Sequence, residues 1–312
     1  MMFESKKISV HAPATVANVA CGFDTLGFAL SHPFDEMTLT LTDTGSVVIS
    51  EITGGFDLPC EAEKNVAGVA LLSLMAALDD KHIGFDITIQ KNIKPGSGIG
   101  SSSASAAGDV VAANHLIGGK FSALQLIEFA MQGEKLASGT AHADNVAPAV
   151  MGGFTLVRSN CPLDVVKLPV PPNLYAVVIH PLIEVKTSDA RKILKTHVSL
   201  KDAVTQWSNV GGLVAGLFMS DYGLIARSLQ DVIVEPIRSI LIPAFDELKQ
   251  RCLSAGALGG GISGSGPSVF MLCDGLEKAQ LVEKAMQAVY SQLAVSYETH
   301  VSPIGQQGVL VC

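Results

Sequence analysis

Apolar and polar positions alternate over residues 7–12 and 37–51, as in Met37-Thr38-Leu39-Thr40-Leu41 and Val47-Val48-Ile49-Ser50, which predicts half-buried strands and a β-rich beginning. The period changes over residues 65–78, where Val66, Val69, Ala70, Leu72, Leu74 and Ala77 combine helical spacing with good helix formers, so a helix is expected there. Alternation returns in Phe85-Asp86-Ile87-Thr88-Ile89. A Gly/Ser-rich loop at 95–103 then leads into an Ala/Val-rich helix that ends near Gly118-Gly119. A second helix is predicted over 122–136 with Ser122 as its N-cap, followed by a polar turn and the segment 142–153.

A strand is expected over 153–157, and beyond it Leu168-Pro169-Val170-Pro171-Pro172 breaks both helices and central strands. The domain boundary is placed there, giving units of 1–168 and 169–312. The second half reads as a strand at 175–180, several helices between 188 and 255, a strand at 268–273, a helix at 276–292 and closing strands, with no repeat period.

A length of 312 residues with 48% apolar and 16% charged residues supports a packed α+β protein of two closely apposed domains. The net charge of −8, without runs of either sign, lacks the basic footprint of a nucleic-acid binder, so an anionic ligand would need a local site. The start of the chain has no signal-peptide core, and no apolar stretch of about 20 residues follows; the cytoplasm is the expected location, with no membrane partner. The six cysteines are far apart and form no C-x-x-C pair, which points to idle thiols in a reducing compartment.

The segment Lys94-Pro95-Gly96-Ser97-Gly98-Ile99-Gly100-Ser101-Ser102-Ser103-Ala104-Ser105 brings flexible backbone N–H groups to a helix start, where unsatisfied donors and the helix dipole favour an anion. A flexible loop with a serine N-cap accounts for the same residues equally well. It is not a Walker loop, because Ser101 stands where the lysine is required, and that serine also breaks a G-x-G-x-x-G reading. A literal G-x-G-x-x-G at Gly259, Gly261 and Gly264 precedes a strand rather than a helix.

Gly98-Ile99-Gly100-Ser101-Ser102-Ser103-Ala104 resembles the Gly-Leu-Gly-Ser-Ser-x-Ala loop of the galactokinase, homoserine kinase, mevalonate kinase and phosphomevalonate kinase (GHMP) superfamily. Residues 12–27, which contain Asn18 and Gly22-Phe23-Asp24, resemble that family's first motif in its homoserine kinase form. Residues 259–268 resemble its third motif, and the three fall in the family's order. The homoserine kinase branch is further indicated by Glu134, Ser138-Gly139, His142-Ala143-Asp144-Asn145, Thr187 with Arg191, and Glu235-Pro236-Ile237-Arg238. The chain departs from the pattern at Ala20-Cys21 and at Pro95, which sits one residue nearer the glycines than usual.

The resemblance implies an N-terminal ribosomal-protein-S5-domain-2-like domain and a C-terminal ferredoxin-like α/β sandwich. It also implies ATP and Mg²⁺ as cofactors, phosphorylation of L-homoserine in threonine biosynthesis, and a homodimer. By the same likeness Asn65 lies at the adenine and residues 94–104 at the phosphates. Ser102 and Glu134 lie at Mg²⁺, and Asn18, Asp24, His142, Asn145, Thr187, Arg191 and Arg238 at the amino acid and the γ-phosphate. Glu134, Asn145 and Arg191 are the implied catalytic set, with Asn145 where some relatives place an aspartate base.

These roles agree with the chemistry of homoserine, whose carboxylate suits guanidinium groups and whose ammonium suits Asp24. Each residue also has a structural explanation: Asp24 as a turn cap, Glu134 and the arginines as solvated surface, Thr187 near a helix start, and His142 as an ordinary packed histidine. A sister kinase acting on mevalonate, a sugar or shikimate is the alternative enzyme, and a non-catalytic nucleotide-binding regulator the alternative class.

Overall fold

The computed structural model describes residues 6–185 and 187–312, without the side chains at 138 and 188. The chain opens with β1 (Lys7–Ala17), β2 (Leu26–Thr42) and β3 (Val47–Thr53), then α1 (Val66–Ala76), β4 (Gly84–Gln90), α2 (Ser101–Leu116), α3 (Ala123–Ser138) and α4 (Val146–Met151). It continues through β5 (Phe154–Asn160), β6 (Leu163–Leu168), β7 (Leu174–Pro181), α5 (Thr187–Lys192), α6 (Leu200–Met219), α7 (Tyr222–Ser228), α8 (Glu235–Arg238) and α9 (Phe245–Ser254). The end comprises β8 (Gly259–Ile262), β9 (Val269–Asp274), α10 (Leu276–Tyr290), β10 (Tyr297–Pro303) and β11 (Leu310–Val311).

Among the described residues the strands form a 7-stranded sheet in the order β11-β1-β2-β4-β3, with β5 and β6 continuing from β2, and a 4-stranded sheet in the order β10-β7-β9-β8. Alternation in the first sheet follows the expected period: in β1, Ile8 and Val10 are buried while Lys7 and Ser9 are exposed. The region 37–51 divides between β2 and β3. Its alternation does not mark the break, because the turn after Thr42 is made by Asp43, Thr44 and Gly45 and interrupts no apolar face. Strand β6, half-exposed along most of its length, gave too little apolar contrast to be foreseen.

The helices α1, α2 and α3 pack together, and α2 lies against β1 and β2. The Ala-rich sequence of α2 explains its place, since small side chains let it sink between strands and neighbouring helices; Ala104, Ala106, Ala107, Val110, Ala112 and Ala113 are fully buried. The second sheet is backed by α9 and α10, whose Leu248, Cys252, Val282 and Met286 form its own apolar cluster. A larger cluster runs from Phe28 and Phe154 of the first sheet to Phe270 and Leu272 of β9. The Pro-rich stretch lies between β6 and β7, that is, between the two sheets, while β11 returns across it to pair with β1 through Val10 and Val311.

Candidate active site

The three motif segments, residues 12–27, 94–105 and 259–268, meet through hydrogen bonds. The backbone N–H of Thr15 donates to Ile99 O at 3.1 Å, and the Thr15 hydroxyl donates to Asn145 Oδ1 at 2.8 Å. Asn18 Nδ2 donates to Gly264 O at 2.6 Å, Ser263 Oγ to Gly98 O at 2.7 Å, and Ser268 Oγ to Ser97 O at 2.7 Å. Two glycines are fixed by this meeting. Gly98 has φ of 85°, and a Cβ there would lie 2.6 Å from Gly266 O; Gly100 has φ of 70°, and its Cβ would lie 2.0 Å from Thr15 Oγ1. The glycines therefore serve close backbone packing as well as a turn.

Gly100 is also the N-cap of α2 and offers no side chain to cap it, so the first-turn N–H groups and the positive end of a 16-residue helix face the cleft. The neck of the loop is held from behind. Lys91 Nζ contacts Asp35 Oδ2 and donates to Ser101 O at 3.0 Å and Ser105 Oγ at 2.9 Å, while Asp35 Oδ1 accepts from the N–H groups of Asn92 and Ile93. Ser101 Oγ donates to Ile93 O at 2.7 Å and closes the neck. Lys91 and Asp35 are both buried, so the clamp works in a dry setting.

A cavity of about 360 Å³ opens in front of the loop. Asn18, Asp24, Asn65, Pro95, Gly96, Gly98, Gly100, Ser101, Ser102, Glu134, His142, Asn145, Thr187, Arg191 and Arg238 all line it. The other positions expected at the nucleotide lie behind this surface: Ile99 and Ala104 are in the core, Ser97 and Ser103 are buried, and the charge of Lys94 is felt by His180. Asn65 reaches the cavity with its amide already engaged. It caps α1 by accepting from Ala67 N at 3.0 Å and donates to Pro59 O at 2.7 Å, so it shapes the wall beside Leu58, Pro59 and Val66.

A group of charged side chains gathers around Asp24 in the same cavity. Asp24, held at φ of 57° with its N–H on Asn18 Oδ1, receives both terminal nitrogens of Arg191 at 2.9 and 3.0 Å. That pairing is the principal cause raising the Arg191 pKa. Arg238 is buried and gives Nε to Ala190 O and Nη1 to Gly264 O; burial, then the neighbouring charge of Arg191, lowers its pKa. The substrate-end expectations thus come together, with Asp24 and Arg191 already bound to each other.

Glu134 faces Ser102 and Ser103. Burial raises its pKa, and the two hydroxyls act against that shift. A serine hydroxyl beside a buried carboxylate is a hard-oxygen pair suited to Mg²⁺, and a cation there would restore the charge that burial disfavours. The residues present therefore fit the ion. His142 Nδ1 is buried without a hydrogen-bond partner. Asp144, passed over in the sequence in favour of Asn145, lines the same cavity; burial first, then the charges of Asp24 and Glu134, raise its pKa to about 7. Lys91, Phe23 and Asp144 were missed as site residues. The sequence signal available for Lys91 was its place directly after the last alternating pair of β4, immediately before the loop.

Comparison with known proteins matches the same framework. The family model described as GHMP kinases N terminal domain covers residues 65–153, and that described as GHMP kinases C terminal covers 213–292. Homoserine kinase of Chloroherpeton thalassium is 46% identical over 97% of this chain and 98% of its own length, and that of Xanthomonas campestris is 40% identical over 96% and 92%. The crystal structure of homoserine kinase from Cytophaga hutchinsonii superposes with a TM-score of 0.94 at 52% identity, covering 100% of this chain and 99% of that one. The L. major mevalonate kinase in complex with R-mevalonate shares the fold, with a TM-score of 0.72 at 16% identity over 97% of this chain and 98% of that one. With its three motifs gathered around one cleft and its full-length likeness to these enzymes, the chain belongs to the homoserine kinases of the GHMP kinase family.

Proposed function

We propose that the cavity binds L-homoserine at its charged end and ATP along the α2 loop, so that the homoserine hydroxyl attacks the γ-phosphorus and the bond from that phosphorus to the β,γ-bridging oxygen breaks. The products are O-phospho-L-homoserine, an intermediate of threonine biosynthesis, ADP, and the proton of the hydroxyl, which passes to solvent. The observation that carries the reading is the Asp24, Arg191 and Arg238 constellation, which offers one carboxylate and two guanidinium groups beside a phosphate cradle. A zwitterionic α-amino acid presents the complementary set, whereas a sugar presents neither charge.

Phosphoryl transfer needs alignment and charge neutralisation more than covalent assistance. The first-turn N–H groups of α2 receive phosphate oxygens, and the Lys91 clamp keeps that turn in place. Asp24 takes the substrate ammonium while Arg191 and Arg238 take its carboxylate, so the hydroxyl end points toward the loop. Asn145, oriented by Thr15, holds the hydroxyl oxygen, and His142 and Thr187 complete the pocket. Ser102 and Glu134 would hold Mg²⁺, which supplies charge neutralisation on the phosphate oxygens when bound.

Two finer points belong to the same reading. All six cysteines are free, including the exposed Cys60, Cys161 and Cys312, which supports work in the reducing cytoplasm. A homodimer is favoured by an exposed apolar stripe on α6, with Leu200 74%, Trp207 57% and Phe218 62% accessible. The test of function is Mg²⁺-dependent ADP release across homoserine, mevalonate, galactose and shikimate. Homoserine should give the highest kcat/KM; preference for another acceptor, or no release with any, overturns the reading.

A further inference from the structure

Phe23 lines the cavity and carries two cations on its ring, with Arg191 Cζ 5.5 Å and Arg238 Cζ 5.1 Å from the centroid. Both lie inside the roughly 6 Å range over which an aromatic face attracts a guanidinium. The counter-charges of the two are unequal. Arg191 is neutralised by Asp24 through two hydrogen bonds. Arg238 is buried, has only the carbonyls of Ala190 and Gly264 as hydrogen-bond acceptors, and forms no ion pair among the described residues.

Beyond the effect of burial, Arg191 depresses the pKa of Arg238, and the carboxylates of Asp24 and Asp231 act in the opposite direction without any hydrogen bond to Arg238. The carbonyls of Ala190 and Gly264 bind Nε and Nη1 of Arg238, and Arg191 gives its hydrogen bonds to Asp24 instead. The group that touches both guanidiniums is the Phe23 ring. Its quadrupole attracts each of them without adding a further formal negative charge to that of Asp24, so the second guanidinium, Arg238, stays open to an incoming anion.

We propose that Phe23 is a specificity-determining positioning residue: its ring holds Arg191 and Arg238 together as a receptor for the acceptor's carboxylate. The inference rests on the reading of this end of the cavity as an amino-acid site. A residue that merely filled space would serve as well if it were aliphatic. The electrostatic role requires an aromatic face, and the requirement should disappear for an acceptor that has no carboxylate.

The test replaces Phe23 with 4-fluoro-, 3,5-difluoro- and 3,4,5-trifluorophenylalanine, which withdraw electron density from the ring face at nearly constant shape, and adds Phe23→Leu and Phe23→Tyr. Apparent KM for homoserine should climb with each fluorine and rise about three- to thirtyfold in Phe23→Leu. KM for MgATP and the melting temperature should stay near those of the parent, and Phe23→Tyr should retain parent-like KM. Turnover of 2-amino-1,4-butanediol, which lacks the carboxylate, should be indifferent to the whole series.

A flat fluorine series overturns the inference, as does a parallel rise in both KM values or an equal loss with the carboxylate-free acceptor. Arg191→Ala separates this failure from failure of the underlying reading. If that variant raises homoserine KM while the fluorine series is flat, only the role of Phe23 is lost. If Arg191→Ala leaves homoserine KM unchanged, the amino-acid site itself is misplaced.

Discussion

Asp144 is the residue whose chemistry was least visible in the sequence, because nothing in His142-Ala143-Asp144-Asn145 reveals which of two adjacent polar side chains is desolvated. In the fold it is buried beside Asp24 and Glu134, and its pKa is raised to about 7. The sign of the linkage follows. A free aspartate titrates near 4, so between about pH 4 and pH 7 the folded chain holds a proton that the unfolded chain has released, and stability falls as pH rises through that window. The full effect is on the order of 4 kcal/mol, reached at and above neutral pH. Asp144→Asn should therefore raise the melting temperature at pH 8 more than at pH 5 and flatten the slope between them; an unchanged slope in calorimetric scans would refute the assignment. Mg²⁺ arriving beside Glu134 favours the ionised form, so its binding near pH 7 should release a proton. Titration calorimetry in two buffers of different ionisation enthalpy reads that release directly. Asn65 teaches the complementary lesson: the family resemblance put it at the adenine and it does line the cavity, but only the cap geometry shows that its amide is spent on α1 and Pro59.

At the scale of elements, the strand, loop and helix from β4 to α2 were legible because three signals changed together: alternation ended, glycines clustered, and an Ala-rich helix began. The strand β8 could not be read from its own residues, since Gly259-Gly260-Gly261 has low strand propensity and becomes extended through its pairing with β9. The neck clamp was equally hidden, because Asp35 and Lys91 are 56 positions apart and meet only when β2 pairs with β4. Lys91 makes three hydrogen bonds to its surroundings, so its function is to fix the start of α2 and not to meet a phosphate. Lys91→Met alone strands the Asp35 carboxylate in a dry site and should cost about 3–5 kcal/mol in denaturant unfolding. The double variant Lys91→Met with Asp35→Asn should regain much of that stability while KM for MgATP stays raised and homoserine binding is spared. Recovery of both stability and MgATP KM in the double variant would reduce the pair to a packing element.

At the scale of the whole molecule, α6 presents an exposed apolar stripe among the described residues. Along α6, Leu200, Val204, Trp207, Gly211, Val214 and Phe218 follow helical spacing; Val214 is half-buried against the core, while Trp207 and Phe218 are well exposed at 57% and 62%. The stripe complements itself. Trp207 and Gly211 lie two residues on either side of Asn209, Val204 and Val214 five, and Leu200 and Phe218 nine. A second α6 crossing antiparallel about a two-fold axis level with Asn209 would therefore set Trp207 against the partner's bare Gly211 surface, where an added Cβ meets nothing within 4 Å. The exposed apolar side chains offer on the order of 600 Å² per copy, or about 1,200 Å² per pair, the lower edge of what stable interfaces bury. The same helix reaches the active site through Gln206, which donates to Cys21 O at 2.9 Å and to Asp231 Oδ1 at 3.0 Å. Asp231 in turn receives the N–H groups of Ile233, Val234 and Glu235 just ahead of Arg238. The native chain should sediment as a dimer at micromolar concentration, with emission from its single tryptophan shifting to the red on dilution. Trp207→Glu and Gly211→Trp should each yield folded monomers, the first by burying a charge and the second by filling the hole. Homoserine KM should then rise a few-fold as the support of Arg238 loosens, with MgATP KM unaffected, because none of the hydrogen bonds of the clamp that holds α2 involves α6. A native chain that sediments as a monomer, or a Trp207→Glu variant that remains a dimer, would place the contact between copies elsewhere or remove it.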